Sequence, residues 1–203
     1  MAAEHYFTST PDGDLRPRRI SARIAGRDLE VTTAGGVFSP GHVDLGTRVL
    51  LDAVPDAPAS GDLLDLGCGW GPISLALALG SPDARVWAVD VNQRALELVR
   101  RNCADLGVTN VNAVLPEDVP EDVRFAAVWS NPPIRVGKAE LHALLERWLP
   151  RLEADAEAWL VVQRNLGADS LLTWLTETFE GRLEVDRISS AKGFRVIRTT
   201  RTA

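Results

Sequence analysis

From residue 62 onward, short apolar runs alternate with longer stretches that repeat with helical spacing. The run that opens at Asp62 and closes on Asp65 reads as a strand, and a helical pattern follows from Pro72 to about Leu79. Further strands are predicted over 85–89, 111–115, 125–130 and 159–163, with helices over 92–106, 141–149 and 168–179 between them. Leu96 and Val99 mark the buried face of the 92–106 helix, Gly107 ends it, and Pro150 stops the 141–149 helix. Residues 183–188 and 194–200 pair as a terminal hairpin. Strands and helices in alternation predict an α/β architecture, a parallel sheet covered on both faces. Before it, 20–24 and 29–33 flank Ala25-Gly26-Arg27-Asp28 as a β-ribbon, and Gly35-Gly36 breaks the pattern. A short helix then enters through Asp44 as N-cap. The chain divides into an N-terminal ribbon extension, residues 1–36, and a domain over 37–203.

Composition leaves that picture intact. A chain of 203 residues that is 45% hydrophobic and 25% charged can bury one substantial core. No run approaches the roughly 18 apolar residues of a membrane span and no apolar signal region opens the chain, so a cytoplasmic protein is expected. Cys68 and Cys103 lack metal-like spacing and need not pair. No metal site is predicted. A net charge of −6 and a pI near 5.1 argue against a protein that coats nucleic acid indiscriminately. Yet Arg16, Arg18, Arg19, Arg23 and Arg27 crowd one end of the chain, and Lys192, Arg195, Arg198 and Arg201 the other. If the two runs meet in space, they form one surface for phosphates.

Candidate chemistry begins at Asp65-x-Gly67-x-Gly69-x-Gly71. Glycines there permit positive φ and let a ligand approach the backbone, and Pro72 suits the first turn of the helix. Cys68 reads as a small residue inside the turn. A carboxylate before the glycines suits a ligand with an ammonium or sulfonium better than a pyrophosphate, which Asp65 would repel. Asp90 closes the next strand roughly 20 residues on, where an acid grips a ribose diol in such folds. These residues resemble motif I and the ribose-binding acid of class I S-adenosylmethionine-dependent methyltransferases. The resemblance implies a Rossmann-like seven-stranded sheet with a C-terminal antiparallel hairpin, S-adenosyl-L-methionine as cofactor, and contacts to it from Gly67, Cys68, Gly69, Gly71, Asp90, Val91 and Asn92.

Ser130-Asn131-Pro132-Pro133-Ile134 follows the fourth strand and so faces the same crevice, beyond the carboxyl ends of the strands. Paired prolines stiffen the backbone, and the Asn131 side-chain oxygen beside a fixed carbonyl makes two acceptors. Two acceptors suit an exocyclic amino group: taking both hydrogens frees the nitrogen lone pair to attack a methyl donor. Asn-Pro-Pro in this setting resembles the motif of amino methyltransferases acting on adenine, guanine or glutamine amides, which makes Asn131, Pro132 and Pro133 the catalytic group and adds Asn131, with Asp65, to the implied cofactor contacts. His5-Tyr6-Phe7, Gly36-Val37-Phe38-Ser39 and Asp44-x-Gly46-Thr47 resemble the lead-in of small-domain methyltransferases related to the 16S rRNA guanine-N2 enzymes, and imply contacts from Phe38 and Thr47. The chain departs from the family in four places. Ile134 stands where an aromatic would stack on the target, leaving Trp129 or Phe194 to substitute. Val114-Leu115-Pro116-Glu117-Asp118 offers Glu117 or Asp118 to the adenine amino group. Ala126 stands where relatives often have an acid, and one copy is present where relatives often carry a duplicated half. The expected function is N-methylation of a guanine amino group in ribosomal RNA or the ribosomal subunit, by a monomer or homodimer. The alternatives are a protein glutamine or small amine as target, a cofactor-binding module without catalysis, and, more distantly, an NAD-dependent oxidoreductase.

Overall fold

A computed structural model describes residues 17–202. His5-Tyr6-Phe7 and Arg16 lie outside the described residues. Two antiparallel strands, β1 (Arg18–Ile24) and β2 (Arg27–Thr33), open the chain. Ala25 and Gly26 alone make their turn, both at positive φ (49° and 72°), the geometry that matches the twist of a tight hairpin. Arg27 and Asp28, expected in the turn, are thereby drawn into β2. Helix α1 (Leu45–Leu51) follows, then β3 (Asp62–Leu66), α2 (Pro72–Gly80), β4 (Arg85–Val89), α3 (Gln93–Leu106) and β5 (Val111–Val114). After these come β6 (Phe125–Ser130), α4 (Lys138–Trp148), β7 (Leu152–Gln163), α5 (Ala168–Thr178), β8 (Leu183–Ala191) and β9 (Phe194–Arg201).

The seven strands from β3 on form one sheet in the order β5-β4-β3-β6-β7-β9-β8, parallel as far as β7 and antiparallel at β9 and β8. The expected sheet and terminal hairpin are both present. Successive strand residues point to opposite faces, and the buried side chains sort accordingly. Leu63, Val86, Ala88, Ala127, Trp129 and Trp159 pack with α1, α2, α3 and the ribbon. Leu64, Leu66, Val89, Val128, Leu160 and Ile197 pack with α4 and α5. The ribbon is fastened to the first layer by Asn102, which accepts from the Thr32 amide at 2.7 Å and donates to the Thr32 and Trp70 carbonyls at 3.0 Å each.

β8 runs on to Ala191 rather than residue 188, and two elements begin three or more residues before their apolar pattern predicts. β7 begins at Leu152 rather than residue 159, because its first half is polar and exposed and carries an irregularity against β6, with Asp155 at φ 62°. α4 begins at Lys138 rather than residue 141; Lys138, Ala139 and Glu140 are exposed and contribute nothing to the apolar period.

Candidate active site

The crevice lies where the open sheet's topology puts it, at the carboxyl ends of β3, β4 and β6. Gly67 and Cys68 donate to the Val89 carbonyl at 2.8 and 3.1 Å, which ties the glycine turn to the end of β4. Gly67, Gly69 and Gly71 all have positive φ (79°, 54° and 97°), so any side chain there would be strained. Their surroundings differ. Gly67 and Gly69 line the cavity, and a Cβ on Gly69 would stand in open space. A Cβ on Gly71 would lie 3.0 Å from Val99 Cγ2, so this glycine serves the packing of α2 on α3 and is not among the cavity-lining residues.

Asp90 caps the arrangement. Its Oδ2 accepts from the Gly69 amide at 2.9 Å and its Oδ1 from the Asn92 amide at 2.9 Å, and the carboxylate so held lines the cavity. Burial pushes its carboxyl above the usual range, opposed by the N–H groups of Asn92, Gly69 and Val91. Two held oxygens side by side suit the two hydroxyls of a ribose. Asn92 caps α3 through the Arg94 amide (3.0 Å), and its Nδ2 donates to the Gly36 carbonyl at 2.7 Å. Trp70 Nε1 donates to the Ser39 carbonyl at 3.1 Å. These two bonds hold the segment that carries Phe38 against the cavity. Phe38, Val91 and Leu166, three of the four exposed large apolar side chains among the described residues, stand at its wall. An apolar wall with a few convergent polar groups is the composition of a small-molecule site.

Asn131 extends from the end of β6, where the Ser130 hydroxyl donates to the Leu66 carbonyl at 2.6 Å and locks β6 to β3. Its Nδ2 donates to Asp44 Oδ2 at 3.0 Å and to Thr47 Oγ1 at 3.1 Å. Asp44 also caps α1, accepting from the amides of Gly46 (2.7 Å) and Thr47 (3.3 Å). The Pro132 carbonyl is not idle: it accepts from the Ile134 amide at 2.8 Å around Pro133, whose φ −75° and ψ 74° make an inverse γ-turn. That turn fixes its direction and leaves one lone pair. Asn131, Pro132, Pro133 and Ile134 all line the cavity, as do Asp44, Gln163 and Phe194. Phe194 presses on α1 so closely that a Cβ on Gly46 would come within 2.8 Å of its Cε1.

Several predicted residues stand elsewhere. Asp65 is fully buried behind the cavity wall, on the same sheet face as Leu63 and beneath α2, where Ser74 Oγ donates to its Oδ2 at 2.5 Å. Its Oδ1 is buried with no partner among the described residues. Burial lifts its pKa to about 7, the Ser74 hydrogen bonds opposing and Asp90 adding to the rise. The expectation that Asp65 faces the ligand directly is therefore corrected: it lies one layer back. Cys68 is buried in the turn, its thiol pushed well above the usual range by burial and by Asp90 and Asp65, and is inert. Thr47 is buried and reaches the site through Asn131. Glu117 and Asp118 are exposed on a short turn, and Pro116 lines the cavity in their place. Trp129 is core, which leaves Phe194 as the aromatic of that pair at the cavity. The C-terminal arginines are engaged within the fold: Arg198 pairs with Asp186 (2.7 Å) and Glu157 (3.3 Å), Arg195 with Asp169, and Arg201 donates to backbone carbonyls.

A seven-stranded sheet of this order, with a glycine turn, a buried acid and Asn-Pro-Pro around one crevice, is a methyltransferase fold. Residues 28–198 match the model of the methyltransferase small domain, and the chain belongs to that family, among the S-adenosylmethionine-dependent methyltransferases. It is 37% identical over 199 residues to the uncharacterized protein YbxB of Bacillus subtilis, covering 97% of this chain and 98% of that one. It is 34% identical over 184 residues to ribosomal RNA small subunit methyltransferase C of Aeromonas hydrophila, covering 88% of this chain and 51% of that protein. Among solved structures, the 16S rRNA N2 G1207 methyltransferase of T. thermophilus, in complex with AdoMet and guanosine, superposes with a TM-score of 0.80 at 25% identity, over 94% of this chain and 52% of that one. The chain thus spans about half the length of these two ribosomal RNA methyltransferases. Among the described residues no helix is long and apolar enough to cross a membrane.

Proposed function

We propose that this chain transfers a methyl group from S-adenosylmethionine to the exocyclic amino group of a guanine in ribosomal RNA. The observation that carries this reading is that Asn131, Pro132 and Pro133 line the same cavity as Gly67, Gly69 and Asp90. Gly67, Gly69, Asp90, Val91, Asn92 and Phe38 would hold the cofactor, and the two held oxygens of Asp90 fit its ribose diol. When bound, S-adenosylmethionine would supply an electrophilic methyl group, with the neutral thioether as the leaving group that keeps the electron pair. The protein's own part is done by acceptors. An aromatic amine gives one hydrogen to Asn131 Oδ1 and the other to the remaining lone pair of the Pro132 carbonyl. Both contacts draw the nitrogen out of the ring plane and turn its lone pair toward the methyl. The nitrogen gains the positive charge and then loses one proton to water, so no strong base is required. Phe194 supplies the flat surface that Ile134 cannot, from a strand outside the motif.

The ribosomal RNA target rests on the names of the relatives, ribosomal RNA small subunit methyltransferase C and the 16S rRNA N2 G1207 enzyme. A ribosomal substrate like that of the bacterial relatives would place the enzyme in the cytoplasm. The division into an N-terminal extension over 1–36, of which residues 1–16 lie outside the described residues, and a transferase domain over 37–203 belongs to the same proposal, as does a monomer or homodimer as the working form. Small ribosomal subunits lacking N2-methylguanosine, incubated with the protein and methyl-labelled S-adenosylmethionine, provide the test. The expected result is label in RNA that digests to N2-methylguanosine. Label in protein alone would favour the glutamine reading, and no label despite cofactor binding would favour a binding module.

A further inference from the structure

Asp44 and Thr47 were expected to act as a helix cap and a ligand contact, yet both touch Asn131. We infer that they are positioning residues which set the orientation of the Asn131 amide and aim its Oδ1 into the cavity. This rests on the reading of Asn131 as the amine acceptor, but the orientation is fixed by chemistry of its own. An ionised carboxylate has no hydrogen to give, so the amide edge within 3.0 Å of Asp44 Oδ2 must be the NH2 edge. Thr47 Oγ1, at 3.1 Å, meets the same nitrogen, so both hydrogens of that NH2 can be taken on the side away from the oxygen. Among the described residues Oδ1 accepts no hydrogen bond, and the side chain lines the cavity. An amide free to turn about its last bond would spend part of its time presenting NH2 to the substrate amine, donor against donor. The Asp44–Asn131 bond removes that state.

A second consequence is electronic. Donating to a carboxylate polarises the amide and concentrates negative charge on its oxygen, which strengthens it as an acceptor. Asp44 can do this because its place is set from α1: the Gly46 and Thr47 amides hold Oδ2, and Gly46 lacks the Cβ that would collide with Asp44 Oδ2 at 2.9 Å. The cap and the positioning contact use the same oxygen.

Three variants separate positioning from folding. Asp44→Ser keeps a good helix cap but is too short to reach Asn131. Asp44→Asn keeps an oxygen that can both cap and accept. Thr47→Val keeps the shape and removes the hydroxyl. Methyl transfer to unmodified small ribosomal subunits should fall about tenfold or more in kcat for Asp44→Ser, recover to within about threefold of the parent for Asp44→Asn, and fall by a smaller factor for Thr47→Val. Affinity for S-adenosylhomocysteine and thermal midpoint should stay close to the parent in all three. A readout independent of activity is the side-chain NH2 of Asn131 in 15N-labelled protein, assigned by its loss in Asn131→Ala. Two dispersed, slowly exchanging protons are expected in the parent and in Asp44→Asn, and averaged, fast-exchanging ones in Asp44→Ser. Unchanged NH2 signals and unchanged kcat in Asp44→Ser, with Asn131→Ala inactive, would overturn the positioning role and leave the acceptor role standing. Full activity in Asn131→Ala would instead overturn the acceptor role.

Discussion

The two ends of the cavity are built by different means. Apart from Phe38, the cofactor end is local: residues 67–92, from two neighbouring parallel strands and the turns that follow them, supply backbone amides, open glycines and one acid. The target end is assembled from distant parts. Asp44 and Asn131 are 87 positions apart, and Phe194 comes from an antiparallel strand at the far end of the chain. A local site made largely of backbone depends on where glycine and aspartate stand in the sequence. An assembled site depends on the core that brings α1, β6 and β9 together, so cofactor affinity and transfer rate can be altered separately.

The largest effect expected bears on whether the cofactor end rests on a group behind it. Asp65 has its folded pKa raised to about 7, above the ordinary carboxylate value of 3.8. A raised acid stabilises the fold most below pH 4, and that contribution is lost as pH rises through 7. Relative to Asp65→Asn, the parent should lose up to about 4 kcal/mol of unfolding free energy between pH 4 and pH 7. Denaturant titrations at several pH values read this directly, and a constant gap would mean that the buried carboxyl does not titrate there. Next comes the target end. Asn131→Ala should lower kcat by roughly 100- to 1000-fold, about 3 to 4 kcal/mol, with S-adenosylmethionine affinity nearly unchanged. Stopped assays beside calorimetry decide it, and joint loss of stability and affinity would make Asn131 a turn residue. Asp90→Ala reverses the pattern, costing about 2 to 3 kcal/mol of cofactor affinity by calorimetry. Smallest is Phe194→Leu, which keeps apolar bulk against Gly46 but removes the ring face; target KM should rise about fivefold, or about 1 kcal/mol, at constant kcat.

Most of the fold was legible because its central strands are buried on both faces and because α1 and α3 open on side-chain caps, α2 on a proline, and α3 ends on a glycine. The first half of β7 and the first turn of α4 were not, since their exposed residues leave no apolar period. At the site, Gly67, Gly69 and Asp90 could be placed from spacing because consecutive parallel strands bring their ends together. Asp65 shows the limit of spacing alone. Strand alternation puts it on the face of Leu63, under α2, and so turns its side chain away from the crevice. Pro116 displaced Glu117 and Asp118 because a short turn swings both acids outward. The bond between Asp44 and Asn131 had no signal in the order of residues. Asp44 satisfies a helix cap, a complete local explanation that hid its second partner.

Whether Asn131 faces an exocyclic amine can be read from guanosine against inosine, since the two differ only by that amino group. Saturation-transfer NMR on the protein with S-adenosylhomocysteine bound should show guanosine binding several-fold tighter than inosine, because a site built to accept those hydrogens is left unpaired without them. The preference should disappear in Asn131→Ala. Equal binding of the two nucleosides by the parent protein, or a preference that survives the substitution, would contradict the account.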